Sequence, residues 1–262
     1  MIQLGRTGGA GLKAAEWGEV LARGATVQRP LLAMARVPVV LQFHGCGGAE
    51  PFLQTYGKTA TDLGVAAVTI DSFRPRGMSN LDGKLFVCTG TTLRGAQRAA
   101  DVFAMLAWAR AQPWADPDRI ALAGWSHGGW TIMDALAMGS NAARVTGIAD
   151  ADPAALQGVK GAFLVYPYAS FPSLTSAQGW PGAKPPVTAI LGGKDQVVGV
   201  NGPQKALQRL TRDGVSVETT LFPDATHAFD DDHANDPRAK YRPDLLETSR
   251  GLYAGMLKRA FG

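Results

Sequence analysis

Short apolar runs alternate along this chain with longer amphipathic stretches. The first clear run, Val37 to Phe43 (VPVVLQF), is continuous and rich in β-branched residues, which is typical of a strand covered on both faces. Such strands usually belong to a parallel sheet with helices on either side. Similar runs predict further strands at Val65–Ile70, Arg119–Gly124, Val159–Tyr166, Val187–Leu191 and Val215–Phe222.

The stretches between these runs have helical periodicity. From about Thr92 to Ala111, apolar residues recur every three or four positions, so one face of that helix is buried. Strands alternating with helices imply right-handed βαβ units, whose ligands collect at the carboxyl ends of the strands. The pattern therefore predicts an α/β fold in a single domain over residues 1–262, with an N-terminal segment (1–34) preceding a core from about residue 35. Further helices are predicted near 51–63, 128–138 and 203–212, and from Pro243 onward.

Composition narrows the classes of partner. The formal net charge is +4 and no basic run exceeds two residues, so we expect no nucleic-acid partner. No apolar run approaches the roughly 18 residues that span a bilayer, and the N-terminus lacks the apolar core of a signal peptide. We expect no membrane association and a cytoplasmic location by default. A periplasmic or exported protein is the alternative if a signal peptide was removed.

The segment Gly124-Trp-Ser126-His-Gly128 follows a predicted strand and opens a predicted helix. In this context the G-x-S-x-G pattern indicates a tight turn that exposes a nucleophilic serine. Glycines on both sides avoid collisions with the neighbouring strand and helix. The serine also lies at a helix N-terminus, whose partial positive charge favours a developing oxyanion. Ser126 is therefore the predicted nucleophile.

A serine hydroxyl needs a general base at neutral pH, and the chain has four histidines. His227 lies in a loop directly after the last predicted strand, where this architecture brings a histidine back over the nucleophile. His233, further along an acidic loop, is the second candidate. His127 adjoins the serine in sequence, and the turn sends the two side chains apart. His44 is expected to bond within its own loop.

The base in turn needs an acid that orients its imidazole. Asp195 follows the penultimate strand through a glycine pair that permits a sharp turn, and it is the predicted orienter. The weaker candidates are Asp224, which is expected to shape the His227 loop, and Asp150 and Asp152, which precede a strand instead of following one. An oxyanion hole needs two backbone N–H groups. We expect one from His127 and one from Cys46, in the glycine-rich loop after the first strand.

The resemblance to a known family rests on five segments. They are HGCGG at 44–48, DSFRPRG at 71–77, RIALAGWSHGG at 119–129, GGKD at 192–195 and DATHAF at 224–229. Together they resemble the dienelactone hydrolase family, within the α/β-hydrolases, over roughly residues 35 to 260. The resemblance implies an α/β-hydrolase fold with little or no lid, and hydrolysis of an ester or lactone through an acyl-enzyme. The family's type enzyme uses a cysteine nucleophile where this chain has Ser126, so a plain carboxylesterase is expected.

Several side chains are candidates for substrate binding. Arg74 and Arg76 lie on a loop at the catalytic end of the sheet and are able to receive a carboxylate, although such arginines often order their own loop. Trp125 and Tyr168 are candidates to line an acyl or alcohol pocket. Cys46 and Cys88 lie on loops at the same end, and a disulfide between them is a hypothesis that would favour an exported protein.

No cofactor is expected, because this chemistry needs only the three side chains, the oxyanion hole and water. No metal site is expected either: the run Asp230-Asp-Asp-His233 is interpreted as a solvated acidic loop. The substrate is then a small-molecule ester or lactone, and the oligomeric state stays open. Alternatives with the same residues are a peptidase of the prolyl-oligopeptidase type or an acyltransferase. A non-catalytic binding protein on a hydrolase scaffold is the alternative from another class.

Overall fold

The computed structural model describes residues 11–31, 35–88 and 90–262. Within these residues, seven strands form one sheet. In chain order they are β1 (Thr26–Gln28), β2 (Val37–Phe43), β3 (Ala66–Ile70), β4 (Ala115–Trp125), β5 (Val159–Val165), β6 (Val187–Gly192) and β7 (Val217–Phe222).

The strands lie side by side in the order β1-β3-β2-β4-β5-β6-β7. All neighbouring pairs are parallel except β1 and β3, in which Thr26 lies opposite Thr69 in an antiparallel pair. Because the chain adds β3 on one side of β2 and then β4 on the other, the carboxyl ends of β2 and β4 border a crevice that is open to ligands. The predicted mostly parallel α/β sheet is confirmed.

Helices cover both faces of this sheet. They are α1 (Ala14–Ala22), α2 (Phe52–Asp62), α3 (Gly95–Ala111), α4 (His127–Ala137), α5 (Asn201–Arg212) and α6 (Pro243–Phe261). Along β2, Val39 and Leu41 pack in the cluster formed with α1, α3, α4 and α5, while Val40 packs with α2 and α6. Burial on both sides explains why β2 is a continuous apolar run instead of an alternating one. In the described part of the chain, no helix is both long and apolar enough to cross a membrane.

The fold begins earlier than the sequence indicated. Helix α1 packs on α3, where Trp17 Nε1 donates a hydrogen bond of 2.8 Å to Asp101 Oδ1, and β1 extends the sheet at its edge. Helix α1 and strand β1, within the predicted N-terminal segment 1–34, are therefore packed into the folded domain. Strand β1 is three residues long and its side chains are exposed or half-buried, so it carries no apolar run that would reveal it.

Short helical turns occupy the segment after β3, which was expected to be a loop, and part of the region after β5. The connection after β3 contains Arg74–Arg76, Asn80–Asp82 and Gly83–Val87, and the region after β5 contains Leu174–Gln178. The turn Gly83–Val87 contributes Lys84 and Val87 to the walls of the site described next. Further short turns are found at Ala142–Thr146 and Pro153–Leu156.

Candidate active site

A tight turn joins the end of β4 to the start of α4 and carries Ser126. The backbone of Ser126 has φ 51° and ψ −112°, outside the regions that L-residues favour. A Cβ at Gly128 would lie 1.9 Å from the carbonyl oxygen of Phe43, and one at Gly124 would lie 2.6 Å from the carbonyl of Gly128. Glycine is therefore required on both sides of the serine by direct contact with strand β2 and with helix α4.

Ser126, His227 and Asp195 form a continuous hydrogen-bonded series. His227 Nε2 lies 2.9 Å from Ser126 Oγ, and His227 Nδ1 lies 2.7 Å from Asp195 Oδ2. With the proton on Nδ1, the imidazole donates to Asp195 and accepts from the serine hydroxyl. The other oxygen of Asp195 accepts from the backbone N–H groups of Val197 and Val198, at 2.8 and 3.0 Å, which fixes the carboxylate. All three side chains are buried.

The other candidates for the general base and for the orienting acid make their contacts outside this series. His233 Nδ1 lies 2.8 Å from Asp232 Oδ1 on an exposed part of its loop. Asp224 forms an exposed ion pair of 2.6 Å with Lys194. Asp150 accepts from the backbone of α1, and Asp152 accepts from the first residues of a short helical turn. The structure thus brings together the three residues that the sequence ranked first.

The two expected oxyanion donors belong to segments that border Ser126. His127 is the first residue of α4, so its N–H has no acceptor within the helix. Cys46 follows Gly45, where a Cβ would lie only 3.4 Å from Ser126 Cβ. That distance is an ordinary van der Waals contact, so the glycine-rich loop packs directly against the nucleophile.

Cys46 and Cys88 form a disulfide with a Cα–Cα distance of 5.2 Å. This bond ties the glycine-rich loop after β2 to the end of the helical turn Gly83–Val87. The pairing left open at the sequence level is therefore present. It joins two segments that both line the space above Ser126.

A buried arginine, not anticipated from the sequence, connects the glycine-rich loop to the start of α4. Arg98 donates to the backbone oxygen of His44 at 2.8 Å and to Ser72 Oγ at 2.9 Å, and its Nη1 lies 3.1 Å from His127 Nδ1. Burial lowers the pKa of Arg98 to about 9. Burial, and then the charge of Arg98, hold the pKa of His44 and of His127 well below their usual range. Helix α3 is apolar on nearly all its faces, and such a helix is buried almost all round. This pattern could have indicated from the sequence that Arg98 is buried.

The predicted substrate role of Arg76 is wrong. Arg76 is buried and its guanidinium donates to both carboxylate oxygens of Asp101, at 2.7 and 3.0 Å, and to Ser72 O. Arg74 is exposed, and its backbone N–H binds Asp71 Oδ1. Neither arginine is among the described residues that line the space around Ser126. Arg76 orders its own loop, because a planar guanidinium pairs best with a carboxylate in this two-bond geometry.

Two cavities meet at Ser126. The first has a volume of about 370 Å³ and is lined by Trp125 and His227, among others; the second, of about 340 Å³, is lined by Tyr168 among others. Ser126 and the disulfide belong to both linings. Trp125 and Tyr168, both predicted to contact substrate, thus lie on opposite sides of the nucleophile.

The acidic run after His227 is only partly solvated. Asp230 is fully buried and accepts hydrogen bonds from Tyr56 Oη at 2.7 Å, Tyr166 Oη at 2.6 Å and Trp125 Nε1 at 3.1 Å. Burial raises the pKa of Asp230. The ring of Tyr166 lies 4.6 Å from that of His227, so this cluster supports the imidazole from behind. The interpretation as a solvated loop is wrong for Asp230.

The next three residues of that run approach one another. One potential ligand atom from each of Asp231, Asp232 and His233 lies within 4.8 Å of the others. Asp231 is buried, whereas Asp232 and His233 are exposed.

Backbone strain is concentrated around the same cavity. Ser126, Tyr166 and Ala228 have positive φ values of 51°, 37° and 51°, which non-glycine residues rarely adopt. All three line the first cavity. Such conformations cost about 1 to 3 kcal/mol each and persist only where the surrounding structure holds them.

A parallel sheet with this strand order, and a strained serine turn between strand and helix, define an α/β-hydrolase. A model of the dienelactone hydrolase family matches residues 24–248, and the chain belongs to that family. This finding confirms the resemblance seen in the sequence.

Solved structures show the same fold. A putative dienelactone hydrolase from Klebsiella pneumoniae has a TM-score of 0.65 at 18% identity, covering 89% of this chain and 92% of its own. A dienelactone hydrolase-like promiscuous phosphotriesterase from metagenomic libraries has a TM-score of 0.68 at 16% identity, covering 91% and 99%. The ferulic acid complex of Est1E from Butyrivibrio proteoclasticus has a TM-score of 0.60 at 16% identity, covering 90% and 94%. A comparison with curated protein sequences gave no match.

Proposed function

We propose that this protein is a serine hydrolase that cleaves a carboxylic ester or lactone through an acyl-enzyme. The observation that carries the proposal is the hydrogen-bonded series from Asp195 through His227 to Ser126, at the junction of two cavities. Such a series activates a serine, because the imidazole accepts the hydroxyl proton as the oxygen attacks.

Acylation follows from this arrangement. Ser126 Oγ attacks the carbonyl carbon, its proton passes to His227 Nε2, and the carbonyl oxygen becomes an oxyanion that accepts from the backbone N–H groups of Cys46 and His127. Asp195 stabilises the imidazolium. The bond between the carbonyl carbon and the alcohol oxygen then breaks, and His227 returns its proton to that oxygen. The products are an ester on Ser126 and a free alcohol, or a ring-opened acyl-enzyme if the substrate is a lactone.

Deacylation repeats these steps with water. His227 removes a proton from the water, the resulting oxygen nucleophile attacks the acyl carbon, and the acid leaves as Ser126 Oγ regains its proton.

Family membership supports ester or lactone hydrolysis, and two features favour a plain ester over a lactone that carries carboxylates. Arg76 is committed to Asp101 and Arg74 lies away from the cavities. The nucleophile is serine, whereas the family's type enzyme uses cysteine. Esterases are also found among proteins of similar fold, including one whose structure was solved with butyrate bound, from Thermogutta terrifontis.

Labelling by a fluorophosphonate probe, read by intact mass, tests the proposal. We expect one adduct on the wild type, none on Ser126→Ala, and much slower labelling of His227→Ala, because only an activated serine reacts quickly. We also expect slower labelling of Asp195→Asn, because the imidazole loses its charged partner. Asp224→Asn is its matched control, since Asp224 lies on the His227 loop in an exposed ion pair. An adduct that survives in Ser126→Ala, or no adduct on folded wild type, would favour the non-catalytic binding protein instead.

A further inference from the structure

The glycine-rich loop after β2 (residues 44–48) contains one of the two proposed oxyanion donors, the backbone N–H of Cys46. Three of its five residues are glycines, whose backbone has few steric restrictions. Such a loop needs contacts from neighbouring segments to hold that N–H in one direction. Arg98 supplies a contact at the start of the loop, on His44 O. A second set of contacts comes from the segment 79–88.

The segment 79–88 packs directly on this loop. A Cβ at Gly83 would lie 2.5 Å from Cys46 O, so the backbones of the two segments are in contact. The disulfide between Cys46 and Cys88 then joins them covalently. Because the cross-linked residue is the donor residue itself, a displacement of the segment would also move the Cys46 N–H.

The segment 79–88 has few buried side chains of its own. Gly83 and Val87 are buried, and its other residues are exposed or half-buried. Segments with so little buried apolar surface separate easily from the structure around them. The covalent bond is therefore the main link that keeps this segment on the glycine-rich loop.

The disulfide is accessible to small molecules in the folded protein. Cys88 is exposed and Cys46 is half-buried, and both residues line the two cavities at Ser126. Exposed disulfides are reduced more readily than those buried in a core. A small dithiol can thus reach this bond while the sheet stays folded.

We propose that Cys88 is a positioning residue for ester hydrolysis, which holds the Cys46 N–H in place through the disulfide, and that reduction of this bond by a dithiol reversibly lowers catalysis. The proposal rests on the proposed acyl-enzyme mechanism, in which that N–H binds the oxyanion. It makes the redox state of one exposed bond a control on the proposed active site.

Reduction proceeds in two exchanges. A thiolate of the dithiol attacks Cys88 Sγ, the bond to Cys46 breaks, and Cys46 leaves as a thiolate that takes up a proton. The second thiolate of the dithiol attacks the sulfur of the first, so Cys88 leaves and is protonated in turn. Two electrons pass from the dithiol to the two cysteines, and the dithiol ends as a cyclic disulfide.

The kinetics of the wild-type protein before and after reduction test the proposal. Dithiothreitol is added without denaturant and removed anaerobically before the assay, because thiols attack activated esters directly. We expect kcat for p-nitrophenyl acetate to fall roughly 10- to 100-fold with little change in KM, since a misplaced donor weakens binding of the transition state alone. Oxidised glutathione should restore kcat.

The redox state and the fold are measured on the same samples. Iodoacetamide labelling, read by intact mass, should find no free thiol before reduction and two afterwards. Circular dichroism should stay unchanged. Cys88→Ser is the matched variant, because it keeps the size of the side chain without the bond. It should have the kcat of the reduced wild type and no response to dithiothreitol.

Three results would overturn the proposal. They are a wild-type kcat in the fully reduced protein, a bond that is reduced only in denaturant, and a loss of circular dichroism together with kcat. The last result would mean that the bond holds the whole fold instead of the donor. If the oxidised protein hydrolyses no ester and takes up no fluorophosphonate, the acyl-enzyme mechanism fails as well.

Discussion

Arg98 connects the two segments that border the nucleophile. It bonds His44 O, at the start of the glycine-rich loop, and contacts His127 Nδ1 at the start of α4. The two proposed oxyanion donors, Cys46 and His127, belong to these same two segments. We therefore regard Arg98 as a positioning residue that sets the distance between the two donors.

Replacing Arg98 should impair transition-state binding more than substrate binding. For Arg98→Met we expect kcat/KM to fall about 10- to 100-fold, mostly through kcat, because a misaligned oxyanion donor acts only once the oxyanion forms. Affinity for a boronic acid, which mimics the tetrahedral oxyanion, should fall in parallel. Arg98→Lys keeps the charge without the planar guanidinium, so its kcat/KM and its affinity for the boronic acid should lie between those of wild type and Arg98→Met.

Thermal unfolding of each variant separates this role from a purely structural one. A folded Arg98→Met with wild-type affinity for the boronic acid would show that Arg98 merely fills the core.

Asp231 gives the protein a pH dependence of known sign. Burial, and then the charges of Glu50, Asp230 and Asp232, raise the pKa of Asp231 from 3.8 to about 6. Between these values the folded state binds the proton more tightly than the unfolded chain does. The folded protein therefore loses stability from this group as the pH rises from about 4 to about 6.

The substitution Asp231→Asn should remove that loss. The amide oxygen keeps the bond that Asp231 Oδ1 accepts from the backbone of His233. We expect the variant to match wild type near pH 4 and to exceed it by about 1 to 2 kcal/mol at pH 8, because solvent screening reduces the roughly 3 kcal/mol that two pKa units would give. Urea unfolding at both pH values measures the difference. Asp62→Asn, at an exposed carboxylate, controls for net charge. A stability difference that is equal at both pH values would contradict this account.

At the scale of elements, two helical glycines have opposite roles. Gly18 in α1 lies against α3, where a Cβ would come 2.6 Å from Ala104 O and 2.9 Å from Trp108 Cβ. Gly251 in α6 is exposed, and a Cβ there would meet nothing within 4 Å. Gly18 allows α1 and α3 to approach closely, whereas Gly251 contributes only conformational freedom to the unfolded chain.

The same substitution at these glycines should therefore change stability in opposite directions. We expect Gly251→Ala to raise the free energy of unfolding by about 1 kcal/mol. Gly18→Ala should lower it by about 1 to 3 kcal/mol, since the clash involves backbone and a Cβ that cannot rotate away. Urea denaturation of both variants measures the contrast. A Gly18→Ala protein as stable as wild type would mean that α1 does not pack on α3 in this way.

Elements with a strong local signal could be predicted, and those defined by tertiary contacts could not. Strands such as β2 and β5 are buried on both faces, so their apolar runs alone reveal them within a residue or two. Strand β1 is short, exposed and at the edge, and only its pairing with β3 makes it a strand. The local pattern contains nothing that distinguishes it from a loop.

The same distinction holds for the site at the scale of the whole molecule. Ser126, His227 and Asp195 were predictable because each directly follows a strand, and parallel strands bring their carboxyl ends to one edge. Asp230 was misjudged because its burial depends on Tyr56 and Tyr166, which lie far from it along the chain. The burial of Arg76 likewise depends on Asp101, which lies 25 residues further along the chain.

The strained backbone around the first cavity has a consequence for how this molecule would change under selection. Ser126, Tyr166 and Ala228 hold conformations that glycine would adopt without penalty. A screen for thermal stability alone would therefore favour glycine at the positions that orient the nucleophile and support its base. Variants selected in that way would be more stable and less active. Selection for turnover would instead keep the strained conformations, and stabilising substitutions would then accumulate in helices far from the site.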